Sequence, residues 1–167
     1  ERRSLAQTPF EVEFARKSWK RSCAPTLVPV SSDGAAVPAQ LLVLDKAVSL
    51  KQAQDVLYRR ESRSPPGVSY ASSGATWIAD AGPDDGLNHR LYTALPCNIR
   101  PSLELLAELA IKSAAERDDG LDGITYLRDM RQLGIDTPLT AAYEQEVLRR
   151  TKSATLEQAW AQARGRT

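Results

Sequence analysis

Apolar and polar residues alternate near the beginning of the chain, in the manner of a half-buried strand. Phe10, Val12 and Phe14 fall on one face of a strand predicted over residues 10–18, and Glu13 falls on the other face. A half-buried strand covers its apolar face and leaves the opposite face to solvent. The pattern therefore predicts Phe14 in the core and Glu13 on the polar side.

Two more strands are predicted before residue 45. A short one covers residues 26–30, and a turn over residues 31–34 separates it from a third over residues 37–44. The run QLLVL in this third strand is continuously apolar. Such a run is typical of a central strand that is covered on both faces.

A short helix that ends in Glu61 follows these strands. Ser49 is placed to cap its first turn, and Gln52, three residues later, is the partner that a capping box requires. Residues 62–74 are rich in serine, proline and glycine and are predicted to form a mobile loop. That loop is either a lid that shapes a substrate site or an ordinary surface loop.

Glu61 falls on the apolar side of its helix. At about 100° per residue, Leu50, Ala53 and Leu57 share with it a sector of roughly 80° on the helical wheel. A carboxylate on an apolar stripe is expected to have a raised pKa unless it is paired, which suits a general base near neutral pH. The alternative is that the helix has simply ended, and that Glu61 turns to solvent or pairs with an arginine.

The remaining pattern is strands followed by helices, which is typical of the α+β class. Strands are predicted over residues 75–81 and 87–95, and helices over about 102–117, from Asp122 to Gly134, from Thr137-Pro138 onward and from Thr155 onward. The apolar stripes of the helices need the sheet as a partner. The sequence therefore predicts a single domain over residues 1–167, strand-rich over 10–98 and helical over 101–164.

Composition and charge narrow the class of protein. The chain has 167 residues, of which 42% are hydrophobic and 26% charged, as in soluble globular proteins. A formal net charge of +1 gives no electrostatic reason to expect nucleic acid or an acidic membrane surface as a partner. No apolar run approaches membrane-spanning length and no signal peptide is visible, so a cytoplasmic location is expected. Because the chain begins with Glu1, we expect it to be a piece of a longer protein.

The sequence offers little positive evidence for most catalytic chemistries. His89 is the only histidine, no serine lies in a G-x-S-x-G elbow, and the glycines form no nucleotide-binding loop. The two cysteines have no metal or redox spacing. Glu61 remains as the main candidate acid or base, with the tyrosines at 70, 92, 126 and 143 as hydrogen-bond partners or, alternatively, as core aromatics.

The order of elements and a few residues give the chain a recognisable layout. A strand ending in VLD and a short helix ending in a glutamate precede the segment YLRDMRQLGIDTPLTAAYEQEVL. In that segment Tyr126 lies on one helix, a glycine-proline turn covers residues 134–138, and Tyr143 lies on the next helix. This layout, over roughly residues 10–150, resembles the γ-glutamylcyclotransferase-like family.

The resemblance implies a fold and an activity. The family fold is a small mixed β-barrel or sheet flanked by helices, and its enzymes convert γ-glutamyl compounds to 5-oxoproline by intramolecular aminolysis. Glu61 matches the catalytic acid/base, Tyr126 a tyrosine that lines the pocket, and Tyr70 a second substrate-binding tyrosine. The implied partner is a small γ-glutamyl molecule, and no metal or other cofactor is implied.

One departure from the family pattern leaves alternatives open. Family enzymes carry a Tyr-Gly-Ser-Asn loop after their first strand, whereas residues 1–9 contain no glycine. Either such a loop lies upstream and Glu61 has its oxyanion-binding partner, or the chain is a non-catalytic binding or interaction module. A hydrolase or deaminase that uses Glu61 and a bound water is a third hypothesis.

Overall fold

The computed structural model describes residues 2–5, 7–42, 46, 48–62, 76–80 and 90–165, and it confirms the predicted α+β class. The elements are β1 (Arg2–Leu5), β2 (Val12–Ser18), β3 (Ala24–Pro29), β4 (Ala39–Leu42), α1 (Leu50–Ser62), β5 (Thr76–Asp80), β6 (Arg90–Ala94), α2 (Leu103–Glu116), α3 (Gly123–Gln132), α4 (Thr140–Thr151) and α5 (Leu156–Ala163). A short 3₁₀ helix, Trp19–Arg21, follows β2. None of the helices in these ranges is both long and apolar enough to cross a membrane.

In the described residues, the strands form three two-stranded sheets. β1 pairs with β4, β2 pairs antiparallel with β3, and β5 pairs antiparallel with β6. Within the described ranges these pairs do not join into a closed barrel. The partner described for β4 is β1, so the central position expected from the apolar run of this strand stays a prediction.

The chain divides into two compact units. The first contains residues 1–4 and 40–96, and thus α1 and the β5–β6 hairpin. The second contains residues 5–39 and 97–167, and thus the β2–β3 hairpin with α2 to α5. The single-domain organisation expected from the sequence stays a prediction.

Phe14 of β2 belongs to the core of the second unit. Its ring meets the ring of Tyr143 edge-on at a centroid distance of 5.1 Å and that of Tyr126 at 6.4 Å. Apolar residues of all four helices belong to the same core, and the buried members are Leu106, Ala107, Ala110, Ala114, Ile124, Leu127, Val147, Leu156 and Ala159. The predicted inward face of β2 is confirmed, since Val12 and Phe14 are both buried.

Side-chain caps define the beginnings of three helices in this unit. The residue at which the sequence predicted each of these helices to begin accepts a backbone N–H three residues later, namely Ser102 from Leu105 at 3.3 Å, Asp122 from Thr125 at 2.8 Å and Thr155 from Gln158 at 3.3 Å. The predicted beginning of α4 at Thr137-Pro138 is wrong, because the helix begins at Thr140. The Thr137 N–H bonds to the Thr140 hydroxyl at 2.8 Å, which makes residues 137–139 a turn before the helix.

Gly123 lets α3 approach α2 closely, and we expect Gly123→Ala to destabilise the protein. A Cβ at this position would lie 2.7 Å from the Cα of Ala110 and 3.1 Å from the Cδ of Pro25. Backbone on one side and a proline ring on the other leave no flexible group to move, so overpacking should cost about 1–3 kcal/mol in urea unfolding. Gly134→Asn is the control, since nothing lies within 4 Å of its Cβ position and asparagine tolerates its φ of +68°. Equal unfolding midpoints for the two variants would contradict the packing argument.

Candidate functional site

Glu61 lies in the last turn of α1, as the sequence predicted. The helix begins with a reciprocal capping box, in which the Gln52 N–H donates to Ser49 Oγ at 3.3 Å. The Ser49 N–H in turn donates to Gln52 Oε1 at 2.9 Å. From this cap α1 continues through Glu61 to Ser62. The helix and its cap are thus confirmed, while the side chain of Glu61 lies outside the described residues.

The other candidate residues around Glu61 receive no structural test. Tyr70 and His89 lie outside the described residues, as does the predicted loop after α1. Tyr92 belongs to β6, whose backbone alone is described. Glu61 belongs to the first unit, whereas Tyr126 belongs to the second. The roles of Glu61 and Tyr70 therefore stay predictions.

Tyr126 connects α3 to the β2–β3 hairpin. Its hydroxyl oxygen accepts a hydrogen bond from the Leu27 N–H of β3 at 3.3 Å. The guanidinium carbon of Arg21 lies 5.0 Å from the centre of its ring, and Phe14 meets the ring edge-on. Burial raises the pKa of Tyr126, so the phenol is neutral at physiological pH. The side chain expected to bind substrate thus already holds a strand and an arginine.

Tyr143, the second tyrosine of the family-like segment, is fully buried beside Phe14. Its hydroxyl has no hydrogen-bond partner among the described residues. Burial raises the pKa of Tyr143 far above its usual range, and the nearby charge of Asp122 adds to the effect. A phenol with this environment supports packing rather than proton transfer near neutral pH.

Glu13 is a buried carboxylate that the sequence placed on the wrong face. The prediction that Glu13 lies on the solvent side of β2 is wrong, because only 3% of its surface is exposed. Its Oε1 accepts hydrogen bonds from the Phe14 N–H at 2.8 Å and the Thr137 hydroxyl at 2.6 Å. Its Oε2 accepts one from the Leu139 N–H at 3.2 Å. The turn before α4 therefore binds the side chain that alternation had predicted to be exposed to solvent.

The surroundings of Glu13 indicate an anchoring role. Three donors converge on one carboxylate, and one of them comes from the residue that precedes the positive end of α4. The ladder between β2 and β3 is irregular between Glu13 and Arg16, which breaks strict alternation. No local sequence signal connects Glu13 to Thr137, since the two lie 124 positions apart.

No metal site is described in the structure. In the part of the chain that the structure describes, no three side chains of histidine, cysteine, aspartate or glutamate come together so as to hold a metal ion.

No protein-family model matches the chain, and no curated protein or solved structure matches it either. The case for a function therefore rests on the residues and the geometry of this chain.

Glu13→Gln should destabilise the protein because glutamine presents an amide N–H₂ to one of three hydrogen-bond donors. Losing charge-assisted hydrogen bonds in a buried position should cost about 1.5–3 kcal/mol. Urea unfolding at neutral pH measures the change. Glu11→Gln is the control, since exposed Glu11 accepts one bond, from the Gly34 N–H at 3.2 Å, and should lose less than about 1 kcal/mol. The anchoring role is refuted if Glu11→Gln costs as much as Glu13→Gln.

Tyr126→Phe should lower the stability of the protein, whereas Tyr143→Phe should not. Removing the Tyr126 hydroxyl leaves the Leu27 N–H without its partner and should cost about 1 kcal/mol. Removing the Tyr143 hydroxyl deletes a buried group that has no described partner, so stability should stay the same or rise. Chemical unfolding of both variants beside the wild type decides between these outcomes.

A pH series adds an internal check to this pair. The folded-state pKa of Tyr143 is raised above that of the unfolded chain, which is about 10. The phenol therefore does not lower the free energy of unfolding below about pH 10. As the pH rises further, the free energy of unfolding falls, because the tyrosine ionises in the unfolded chain but not in the folded protein. Above that pH, Tyr143→Phe should lose less stability than the wild type. If the variant and the wild type lose the same stability between pH 10 and higher pH, the buried phenol is not the cause.

Proposed function

We propose that the chain is part of a γ-glutamylcyclotransferase-like enzyme with Glu61 as its general acid and base. The observation that carries the proposal is the position of Glu61 in the last turn of a helix with a reciprocal Ser49–Gln52 cap. The layout of the segment from Tyr126 to Tyr143 supports it from the sequence. Tyr126 and Tyr70 are the proposed substrate-binding residues.

The position in α1 suits a group that must both take and return a proton. Glu61 is next to the last residue of α1, where the helix macrodipole is negative. That end of a helix disfavours a carboxylate in its charged form, which brings its proton affinity closer to neutral pH. The cap at the other end restrains the helix, and a restrained helix holds a catalytic group more precisely than a loop does.

The proposed reaction needs only proton transfer and a folded substrate. Glu61 takes a proton from the α-ammonium group of a γ-glutamyl compound, and the free amine attacks the γ-carbonyl carbon of the same molecule. The bond from that carbon to the leaving nitrogen then breaks as Glu61 returns its proton to this nitrogen. The new ring nitrogen releases its extra proton, which leaves the departing amine as an ammonium group. The products are 5-oxoproline and an amine or amino acid. Because nucleophile and electrophile are tethered, the enzyme contributes mainly the ring-forming geometry.

The proposal includes the finer features that the resemblance implies. These are a small β-barrel flanked by helices, a small γ-glutamyl molecule as the partner, no cofactor and a cytoplasmic location. They stand with the activity as one hypothesis.

A second candidate function is a non-catalytic binding or interaction module of the same family. The contacts of Tyr126 favour it, because its hydroxyl accepts the Leu27 N–H and its ring lies against Arg21. A tyrosine with these partners stabilises the second unit whether or not a substrate is present. This candidate predicts no release of 5-oxoproline by the intact natural protein.

Glu61→Gln should abolish most of the activity if Glu61 is the acid and base. The intact protein is incubated with γ-glutamyl amino acids, and 5-oxoproline is quantified by mass spectrometry. Loss of general acid–base catalysis should lower kcat by about 10²- to 10⁴-fold, with a smaller change in KM. Glu108→Gln, at an exposed position of α2, is the matched control and should keep full activity. Wild-type turnover that survives Glu61→Gln eliminates the proposed role, and no wild-type turnover at all favours the binding module.

A further inference from the structure

The turn between β2 and β3 presents a tryptophan to solvent. Trp19 opens the 3₁₀ helix of this turn and is 70% exposed, more than any other large hydrophobic side chain in the described part of the chain. Tryptophan is usually mostly buried, so such exposure of its ring calls for a partner. The Nζ atom of Lys17 lies 5.2 Å from the centre of the ring.

The backbone of the turn holds a defined conformation. Ser22 and Cys23 have φ angles of +49° and +64°, two successive left-handed residues that are not glycine. The Cys23 N–H closes the turn on the Ser18 carbonyl at 2.9 Å. Arg21 also connects the turn to α3 through the ring of Tyr126, 5.0 Å away. The turn that exposes Trp19 is therefore held in place by a backbone hydrogen bond and by the contact between Arg21 and Tyr126.

The charge around Trp19 is strongly positive. Residues 14–32 contain four lysines and arginines and no aspartate or glutamate. Among the described residues, no carboxylate forms an ion pair with Lys17, Lys20 or Arg21. The formal charge of the whole chain is only +1, so the chain outside residues 14–32 is net negative and residues 14–32 form a positively charged segment. The surface formed by Lys17, Trp19, Lys20 and Arg21 is here called the cationic turn.

We propose that the cationic turn docks the protein on an anionic phospholipid surface. A tryptophan ring is amphipathic and prefers the boundary between headgroups and acyl chains. Lysines and arginines beside it are attracted to anionic headgroups over about one Debye length. An exposed ring and cations with no carboxylate partner among the described residues match both requirements at once. The formal net charge of the chain hides this local field, which is why composition alone gave no reason to expect a membrane surface.

The geometry favours a lipid surface over single-stranded nucleic acid. Proteins that bind single strands without sequence preference use a groove with several aromatic platforms for successive bases. The cationic turn offers one exposed ring. The ring of Tyr126, which Arg21 connects to the turn, has Arg21 against it and the edge contact of Phe14. A single ring beside cations suits shallow insertion better than stacking of successive bases.

Vesicle co-sedimentation of the intact protein tests the proposal. The protein should bind phosphatidylcholine vesicles that contain phosphatidylserine, and should not bind phosphatidylcholine alone. Lys17→Gln with Lys20→Gln should weaken binding about 25-fold, since each cation near such a surface contributes about a fivefold change in affinity. Lys51→Gln with Lys112→Gln removes the same charge from two exposed positions elsewhere and should leave binding nearly unchanged.

The contribution of the ring is measured separately. Trp19→Ala should weaken binding about tenfold, whereas Leu133→Ala, which trims a side chain that is 65% exposed, should have no effect. Tryptophan emission should shift to the blue when anionic vesicles are added, and Trp19→Phe should abolish that shift. Circular dichroism of each variant establishes that the chain is folded.

Three outcomes would overturn the proposal. The first is that the protein does not bind anionic vesicles, and the second is that Trp19→Ala binds them as tightly as the wild type. The third is that the protein binds a single-stranded oligonucleotide but not vesicles. Release of 5-oxoproline is measured in solution without lipid, so failure of the docking proposal and failure of the proposed enzyme activity are distinguishable.

Discussion

Two neighbouring residues of β2 bind the second unit together from opposite faces of the strand. Phe14 packs among the helices against Tyr143, and Glu13 gives its carboxylate to the turn before α4. Burying a charge is costly unless donors surround it, and three donors surround this one. A slip of one residue would exchange the two side chains between an apolar core and a set of hydrogen-bond donors, so the pair specifies the register of the strand.

The candidate functional residues lie on elements that are stabilised by different contacts. Glu61 belongs to the first unit, on a helix defined by its own cap, and Tyr126 belongs to the second, where it is already engaged by β3 and Arg21. Arg21 also belongs to the turn that exposes Trp19. The same cation thus links the proposed substrate-binding tyrosine to the proposed docking surface. Proton transfer and docking remain separable, because the residues proposed for each are different.

The sequence predicted elements well where the deciding contacts are local. The caps at Ser49, Ser102, Asp122 and Thr155 each depend on a side chain and an N–H three residues apart, and all four are present. The beginning of α4 was misplaced because Thr137 gives its hydroxyl hydrogen to Glu13 on a distant strand. Alternation failed at Glu13 for the same reason, since the turn before α4 binds the side chain that the pattern assigned to solvent.

The sequence by itself determined the α+β class, the capping box of α1, the beginnings of α2, α3 and α5, the inward face of Phe14 and the candidacy of Glu61. Only the tertiary structure decided that Glu13 is buried, that the Tyr143 hydroxyl has no described partner and that Tyr126 is held by Leu27. It also decided that Trp19 is exposed on a turn whose positive charge no described carboxylate balances. The physical reason is the sequence separation of the groups that interact. Capping and periodicity depend on residues within one or two helical turns of each other. The partner of Glu13, by contrast, lies 124 residues away, and no local pattern encodes it.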